Sequence, residues 1–303
     1  MLIIYVPSLL ESARLLRLEN SLFNFISLQY NCLQHNHIQY KYTSQSIQIM
    51  NLALIQADIV WEKIKENLIH FEQKISLIQS NTDLVVLPEM FSTGFTMNPE
   101  EVAEPTNGQA VSWMLRMAEK YQTAITGSVI IKENGNFYNR LFFISPDGKI
   151  QSYDKRHLFT LAGEQYKYTK GKEKLIVEYK GWKICLLICY DLRFPVFSRN
   201  SEHYDMLIYV ASWPQKRIKA WDILLKARAV ENMAYSIGVN RTGVDPSNLH
   251  YNGHSQIIDS LGEYLLEPQE QEGVFQITLD YQKQSEIRNK FGFLNDRDRF
   301  VLD

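Results

Sequence analysis

Three residues in this chain carry side chains suited to acyl chemistry and stand at the ends of apolar runs: Glu89, Lys155 and Cys189. Cys189 closes the run Trp182 to Ile188 and is followed at once by Tyr190, Asp191, Leu192, Arg193, Phe194 and Pro195. A short apolar run bounded by turn residues reads as a fully buried strand. A thiol where such a strand ends is fixed in place, and the backbone N–H groups beyond it, that of Tyr190 first, can point at a developing oxyanion. Glu89 follows Leu84, Val85, Val86, Leu87 and Pro88. Pro88 ends strand pairing there, so the next side chain is free to turn into a cavity. Lys155 directly follows a predicted strand, and apolar Leu158 and Phe159 come soon after it.

Each residue also has a plain structural reading. A strand cysteine is often a small buried hydrophobe. Glutamate usually sits on the surface. A Lys-Arg-His cluster is most simply a solvated charge run. What favours chemistry is the combination. A cysteine near an ammonium has a depressed thiol pKa. A glutamate within reach can take the thiol proton and pass it to a leaving amine. The ammonium helps to hold the oxyanion. Together they suit acyl transfer from an amide through a thioester.

The elements that must position these groups alternate between strand and helix. Met50 to Asp58 opens a clean strand, and a helix follows from about Trp61 to Gln79, with Ile64, Leu68, Phe71, Ile75 and Ile78 on one face. Asp83 to Glu89 is a strand, Gly108 to Tyr121 a helix and Ala124 to Ile131 a strand. Two hairpins follow: Phe137–Ser145 with Lys149–Asp154 across Pro146-Asp147-Gly148, and Leu175–Tyr179 with Trp182–Cys189 across Lys180-Gly181. Beyond them lie strands at Asp205–Val210, Tyr235–Asn240, Gly253–Asp259 and Val274–Leu279, and a helix over Arg217–Met233. Helices alternating with strands that also form hairpins predict an α/β fold with mixed sheets, two of them face to face and helices outside. No sequence repeat, linker or low-complexity tract follows residue 50.

The 303 residues allow one large α/β domain or two small ones. A net charge of -2 gives no reason to expect nucleic acid or an anionic membrane surface as a partner. No apolar stretch reaches transmembrane length. The three cysteines, Cys32, Cys185 and Cys189, are too few and too far apart for a disulfide framework, which points to a reducing cytoplasm. No Cys/His cluster has zinc-ligand spacing, so no metal is expected. Residues 1–49 differ in character: an amphipathic stretch from Leu9 to Leu28, then a polar Tyr/His/Gln-rich segment without period. They are expected to be an upstream extension, poorly structured or loosely docked, with the folded domain over 50–290. Residues 291–303 are left as a tail available to a dimer interface.

Three blocks carry a family resemblance. Leu87-Pro88-Glu89-Met90-Phe91, Tyr153-Asp154-Lys155-Arg156-His157-Leu158-Phe159 and Ile188-Cys189-Tyr190-Asp191-Leu192-Arg193-Phe194-Pro195 resemble the signature blocks of the nitrilase-like carbon–nitrogen hydrolases, in the family's order. Gly163-Glu164, Ala227 to Asn232 and Gly238 to Arg241 are similar as well. The resemblance spans about Met50 to Arg288. It implies a four-layer αββα sandwich, a homodimer, no cofactor, and a triad in which Glu89 is the general base, Lys155 stabilises the tetrahedral intermediate and Cys189 is the nucleophile. Glu164 matches a second glutamate that orients the lysine or substrate.

Glu89 to Phe95, Ser212-Trp213-Pro214 with Arg217 and Trp221, and Asn240-Arg241-Thr242-Gly243 look like the bacterial omega-amidase branch, which acts on small 2-oxo acid amides. Arg217 and Arg241 are then candidates for a substrate carboxylate, or equally for surface or interface salt bridges. Asp191 and Arg193 read mainly as a structural pair holding the turn. Rival expectations are another amidase of the family (on deaminated glutathione, or a carbamoyl hydrolase), a cysteine–histidine hydrolase using His157, His203, His250 or His254, and a binding module without catalysis.

Overall fold

The computed structural model describes residues 48–302. Strand β1 (Ile49–Gln56) alternates strictly: Met50, Leu52 and Leu54 face one side, Ala53 and Ile55 the other. Period-two alternation with both sets buried requires a layer on each face of the sheet. Ala53 and Ile55 meet helices α1 (Ile64–Ile75) and α2 (Gln109–Tyr121) through Leu68, Phe71, Met114 and Ala118. Leu52 and Leu54 join a core that also takes side chains from a second sheet. Strands β2 (Leu84–Val86) and β4 (Asn136–Ile144) alternate in the same way. Leu84, Val86, Leu141 and Phe143 point to the sheet–sheet core, and Val85, Phe142 and Ile144 to the helices.

The first sheet has the order β14-β1-β2-β3-β4-β5, with β3 at Ala124–Glu133, β5 at Ile150–Asp154 and β14 at Gly273–Asp280. The second has the order β13-β12-β9-β8-β7-β6, built from β6 (Leu175–Tyr179), β7 (Trp182–Ile188), β8 (Met206–Val210), β9 (Tyr235–Val239), β12 (Ser255–Ile258) and β13 (Tyr264–Gln269). A small hairpin, β10 (Thr242–Val244) with β11 (His250–Asn252), lies between β9 and β12 in the chain. Both sheets are mixed. Each has three central parallel strands, one antiparallel strand at one edge and an antiparallel pair at the other. The strand order therefore repeats although the sequence does not.

Helix α3 (Ile218–Asn232) covers the outer face of the second sheet, where Leu225 and Trp221 press on Gly238 in β9. A Cβ there would lie 2.4 Å from Leu225, so the close approach needs glycine. Two hairpins form as the turn residues require: Gly148 has φ 81°, and Lys180 and Gly181 both take positive φ.

The chain begins its first strand at Ile49, paired with Asp280. The reading of the preceding residues as an extension, and Cys32 with it, lies outside the described residues. Not expected from the sequence were β13, the β10–β11 hairpin, the short helices Pro99–Val102 and Pro195–Ser198, and helix α4 (Tyr281–Phe291) with the 3-10 turn Phe293–Asp296 beyond it. β13 is an edge strand and contains Pro268, which only an edge tolerates. Helix α4 lacks a strong apolar stripe. It is held by polar contacts: Asp280 caps it by accepting from the Lys283 N–H, and Arg288 pairs with Asp205 at 2.9 Å. Among the described residues no helix is long and apolar enough to cross a membrane.

Candidate active site

Parallel strands deliver their carboxyl ends to one place, the usual location of a site in an α/β fold. β2 ends just before Glu89, β7 just before Cys189, β8 just before Ser212 and β9 just before Asn240. Lys155 follows β5 and Asn139 sits within β4. Cys189 has φ 44° and opens a 3-10 turn to Arg193. A left-handed cysteine is a strained elbow that aims the side chain away from the strand. Met90, directly after Glu89, also takes positive φ, at 45°, with its N–H donating to the Ser128 hydroxyl at 2.8 Å.

Glu89, Lys155 and Glu164 are fully buried together. Lys155 Nζ donates to Glu89 Oε1 at 2.8 Å and to Glu164 Oε1 at 3.1 Å. Glu89 is held from two further sides: Asn139 Nδ2 donates to Oε1 at 2.8 Å and the Ser212 N–H to Oε2 at 2.9 Å. Glu164 accepts from the Phe159 N–H, and it follows Gly163, whose φ of 76° lets the loop fold back over the lysine. Phe95 lies over the ammonium at 5.0 Å. Burial works against the Lys155 charge, but Glu164 and Glu89 outweigh it and raise its pKa above the ordinary lysine value. Burial pushes the Glu164 carboxyl up, and Lys155 opposes that push.

The thiol behaves otherwise than the sequence suggests. Burial, and then the Glu89 charge, push the Cys189 pKa well up, and these exceed the lowering by Lys155 and by the Ser212 N–H. The expected depression of the thiol pKa is thus not met, because burial and the Glu89 charge outweigh the nearby ammonium. The Cys189 thiol is hydrogen-bonded to Glu89, which puts a carboxylate within reach of its proton.

The buried Asp191 carboxylate locks this geometry. Its Oδ2 accepts from the Ile188 N–H at 2.9 Å and the Tyr153 hydroxyl at 2.8 Å. Its Oδ1 accepts from the His157 N–H at 3.1 Å and lies 2.7 Å from His157 Nδ1. One side chain therefore ties the strand that runs into Cys189 to the lysine segment, and so one sheet to the other. The expected Asp191–Arg193 pair does not form. Arg193 instead lies 5.0 Å over the Trp213 ring.

These groups open on a cavity of about 330 Å³. Glu89, Lys155 and Cys189 stand on its wall with Tyr190, Arg193 and Arg217, among aromatic and apolar side chains including Phe95, Phe159 and Trp213. Arg241 is not brought there. It is 1% exposed, paired with Asp58 at 2.8 Å and stacked on Tyr251 at 4.7 Å. Successive residues at the end of β9 point opposite ways: Asn240 toward Trp213, Arg241 toward the loop after β1. Sequence reasoning missed Asn139; it named Ser212 only within a family block and Arg193 mainly as half of a structural pair. Asn139 had a signal, a polar side chain inside an otherwise apolar strand. Among the described residues no group of three or more His, Cys, Asp or Glu side chains could hold a metal ion.

Residues 51–289 match the carbon-nitrogen hydrolase family. An omega-amidase of Yersinia enterocolitica is 42% identical over 254 residues, covering 84% of this chain and 98% of that protein. A 2-oxoglutaramate amidase of Bacillus subtilis is 35% identical over 250 residues, covering 81% of this chain and 96% of that protein. A crystal structure of a CN-hydrolase superfamily protein of Xanthomonas campestris, with an arsenic adduct in its active site, superposes with a TM-score of 0.82 at 40% identity, over 84% of this chain and 99% of that one.

Proposed function

Because the chain belongs to the carbon–nitrogen hydrolase family and is a hydrolase of amide carbon–nitrogen bonds, we propose that it hydrolyses the terminal carboxamide of a 2-oxo dicarboxylic acid monoamide, such as 2-oxoglutaramate or 2-oxosuccinamate. The observation that carries the reading is one cavity that brings the trio together with two arginines. Cys189, Glu89 and Lys155 line it. The wall also holds the guanidiniums of Arg193 and Arg217, which form no ion pair among the described residues. Such groups suit a substrate with an amide at one end and a carboxylate at the other. The similarity to omega-amidases and to a 2-oxoglutaramate amidase supports the same substrate class.

The reaction runs in two halves. As Sγ of Cys189 bonds to the amide carbon, its proton passes to Glu89. The oxyanion forms beside the Lys155 ammonium and the turn N–H groups. The intermediate collapses to a thioester, and the nitrogen takes the proton from Glu89 and leaves as ammonia. Water then attacks the thioester and gives a proton to Glu89. The acid departs and the thiol is restored. Glu164 holds Lys155 in place throughout. No cofactor enters this scheme. The proposal includes a homodimer, in which a second copy would cover exposed Ile223 and Val230 on α3; light scattering on the purified protein tests it.

Ammonia release measured across 2-oxoglutaramate, 2-oxosuccinamate, glutamine, asparagine, a neutral amide of equal length and ureido acids tests the substrate. The 2-oxo acid amides are expected to give the highest kcat/KM. Arg217→Leu should lower that value roughly ten- to a hundredfold, the cost of one charge-assisted contact, and lower the neutral amide far less. Best turnover of ureido acids or of neutral amides would overturn the reading and point to another amidase of the family.

A further inference from the structure

Two arginines reach the cavity from different segments, and one residue bears on the placement of both. The Arg193 guanidinium lies 5.0 Å over the ring of Trp213. The indole Nε1–H of Trp213 donates to the carbonyl of Arg217 at 2.9 Å. That carbonyl ends the 3-10 turn Gln215–Arg217, which is also closed by the Arg217 N–H donating to the Pro214 carbonyl at 2.9 Å. The Arg217 guanidinium rests 5.1 Å over Phe159.

Trp213 is itself fixed from behind. Asn240 continues the ladder where β8 and β9 stop pairing. Its Oδ1 accepts from the Trp213 N–H at 2.7 Å, and its Nδ2 donates to the Trp213 carbonyl at 2.9 Å and to the Gly253 carbonyl at 2.6 Å. The Trp213 ring packs on Trp221 at 5.5 Å. The indole is buried, so it cannot swing without breaking these contacts. Asp245 also lines the cavity, its Oδ1 accepting from the Ser247 and Leu249 N–H groups and its Oδ2 from the Tyr251 hydroxyl, and its single carboxylate stands against the two guanidiniums of Arg193 and Arg217.

We propose that Trp213 is the residue that sets specificity for anionic amides: its ring and indole N–H hold Arg193 and Arg217 as a prearranged pair for the substrate carboxylate. This rests on the reading of the site as an amidase for anionic substrates. The physical reason is preorganisation. An arginine side chain loses rotamer freedom when it grips a carboxylate, and a ring beneath it removes that freedom before the substrate arrives.

The test is the ratio of kcat/KM for 2-oxoglutaramate to that for a neutral amide of equal length, in wild type, Trp213→Phe and Trp213→Leu. Trp213→Phe keeps a ring and loses the indole N–H, and Trp213→Leu loses both. The ratio should fall in the Phe variant and fall roughly tenfold or more in the Leu variant, the scale of one weakened charge-assisted contact. The change should lie in KM for the anion rather than in kcat. Neutral-amide turnover should also drop, by a smaller factor. Parallel losses in kcat on both substrates would overturn the proposal, because they would mean that Trp213 only supports Ser212 and the wall. If the Leu variant fails to fold, an unchanged ratio in the Phe variant overturns it equally. A wild type with no preference for the anion removes both this proposal and the functional reading; a preference that survives in both variants removes this proposal alone.

Discussion

The Cys189 thiol stands among two buried carboxylates and one buried ammonium, and its proton is the first thing that must move. Cys189→Ala should therefore abolish ammonia release while leaving the fold intact. Cys185, four residues back in β7 and wholly buried in the sheet core, is the matched control. Cys185→Ala should retain most activity and cost about 1 kcal/mol of stability through a small cavity. Equal loss in both variants, with normal circular dichroism, would remove the nucleophile assignment. The raised thiol pKa has its own signature. Burial and the Glu89 charge keep sulfur protonated, so the alkylation rate of Cys189 by iodoacetamide should climb with pH and show no plateau at or below about 8.5, the ordinary cysteine value. A plateau near neutrality, with Cys185→Ala as background, would mean a standing thiolate and a proton already transferred.

Between strands, Asp191 does the joining. Its carboxylate receives the N–H of Ile188 from the end of β7, and the N–H of His157 and the hydroxyl of Tyr153 from the lysine segment. Asp191→Asn keeps the shape but turns an NH2 toward one of those N–H groups. A buried donor left unpaired costs about 1–3 kcal/mol, and at roughly 2–4 °C per kcal/mol for a chain of this size the melting temperature should drop by several degrees. Because the elbow and the ammonium lose their common tether, kcat should fall more than KM rises. Normal kcat alongside a lowered melting temperature would show that the tether serves stability alone.

For the molecule as a whole, two sheets of equal strand order close on one core, and the site lies where parallel strands from both sheets end. Both sheets and the site are built from the described residues 48–302, and the family match begins at residue 51. Gln48 belongs with this body: its carbonyl accepts from the Tyr281 N–H, and its side chain donates to the Lys180 carbonyl. A protein starting at Gln48 should thus be soluble, with the kcat/KM and melting temperature of the full chain. Insolubility or loss of activity would assign residues 1–47 to the working enzyme.

Local patterns in the sequence were enough to give the strand–helix alternation, the hairpins turning at Pro146–Gly148 and Lys180–Gly181, and the strand ends that carry Glu89, Lys155 and Cys189, because period, turn chemistry and buried-strand ends are written into neighbouring residues. The helix α4 was not legible, since its anchors at Asp205, Met233 and Tyr204 are far away in the chain. The same holds for the state of the thiol. Sequence puts a lysine near a cysteine in chemistry, but only the tertiary structure shows that lysine shared between Glu89 and Glu164. It likewise decided between the arginines. Arg193, Arg217 and Arg241 are indistinguishable as letters. What separates them is which way each strand end or turn points it: two toward the cavity, and one into an ion pair with Asp58, 183 residues away in sequence. Charge and direction at a site are sums over distant segments, and no local pattern carries them.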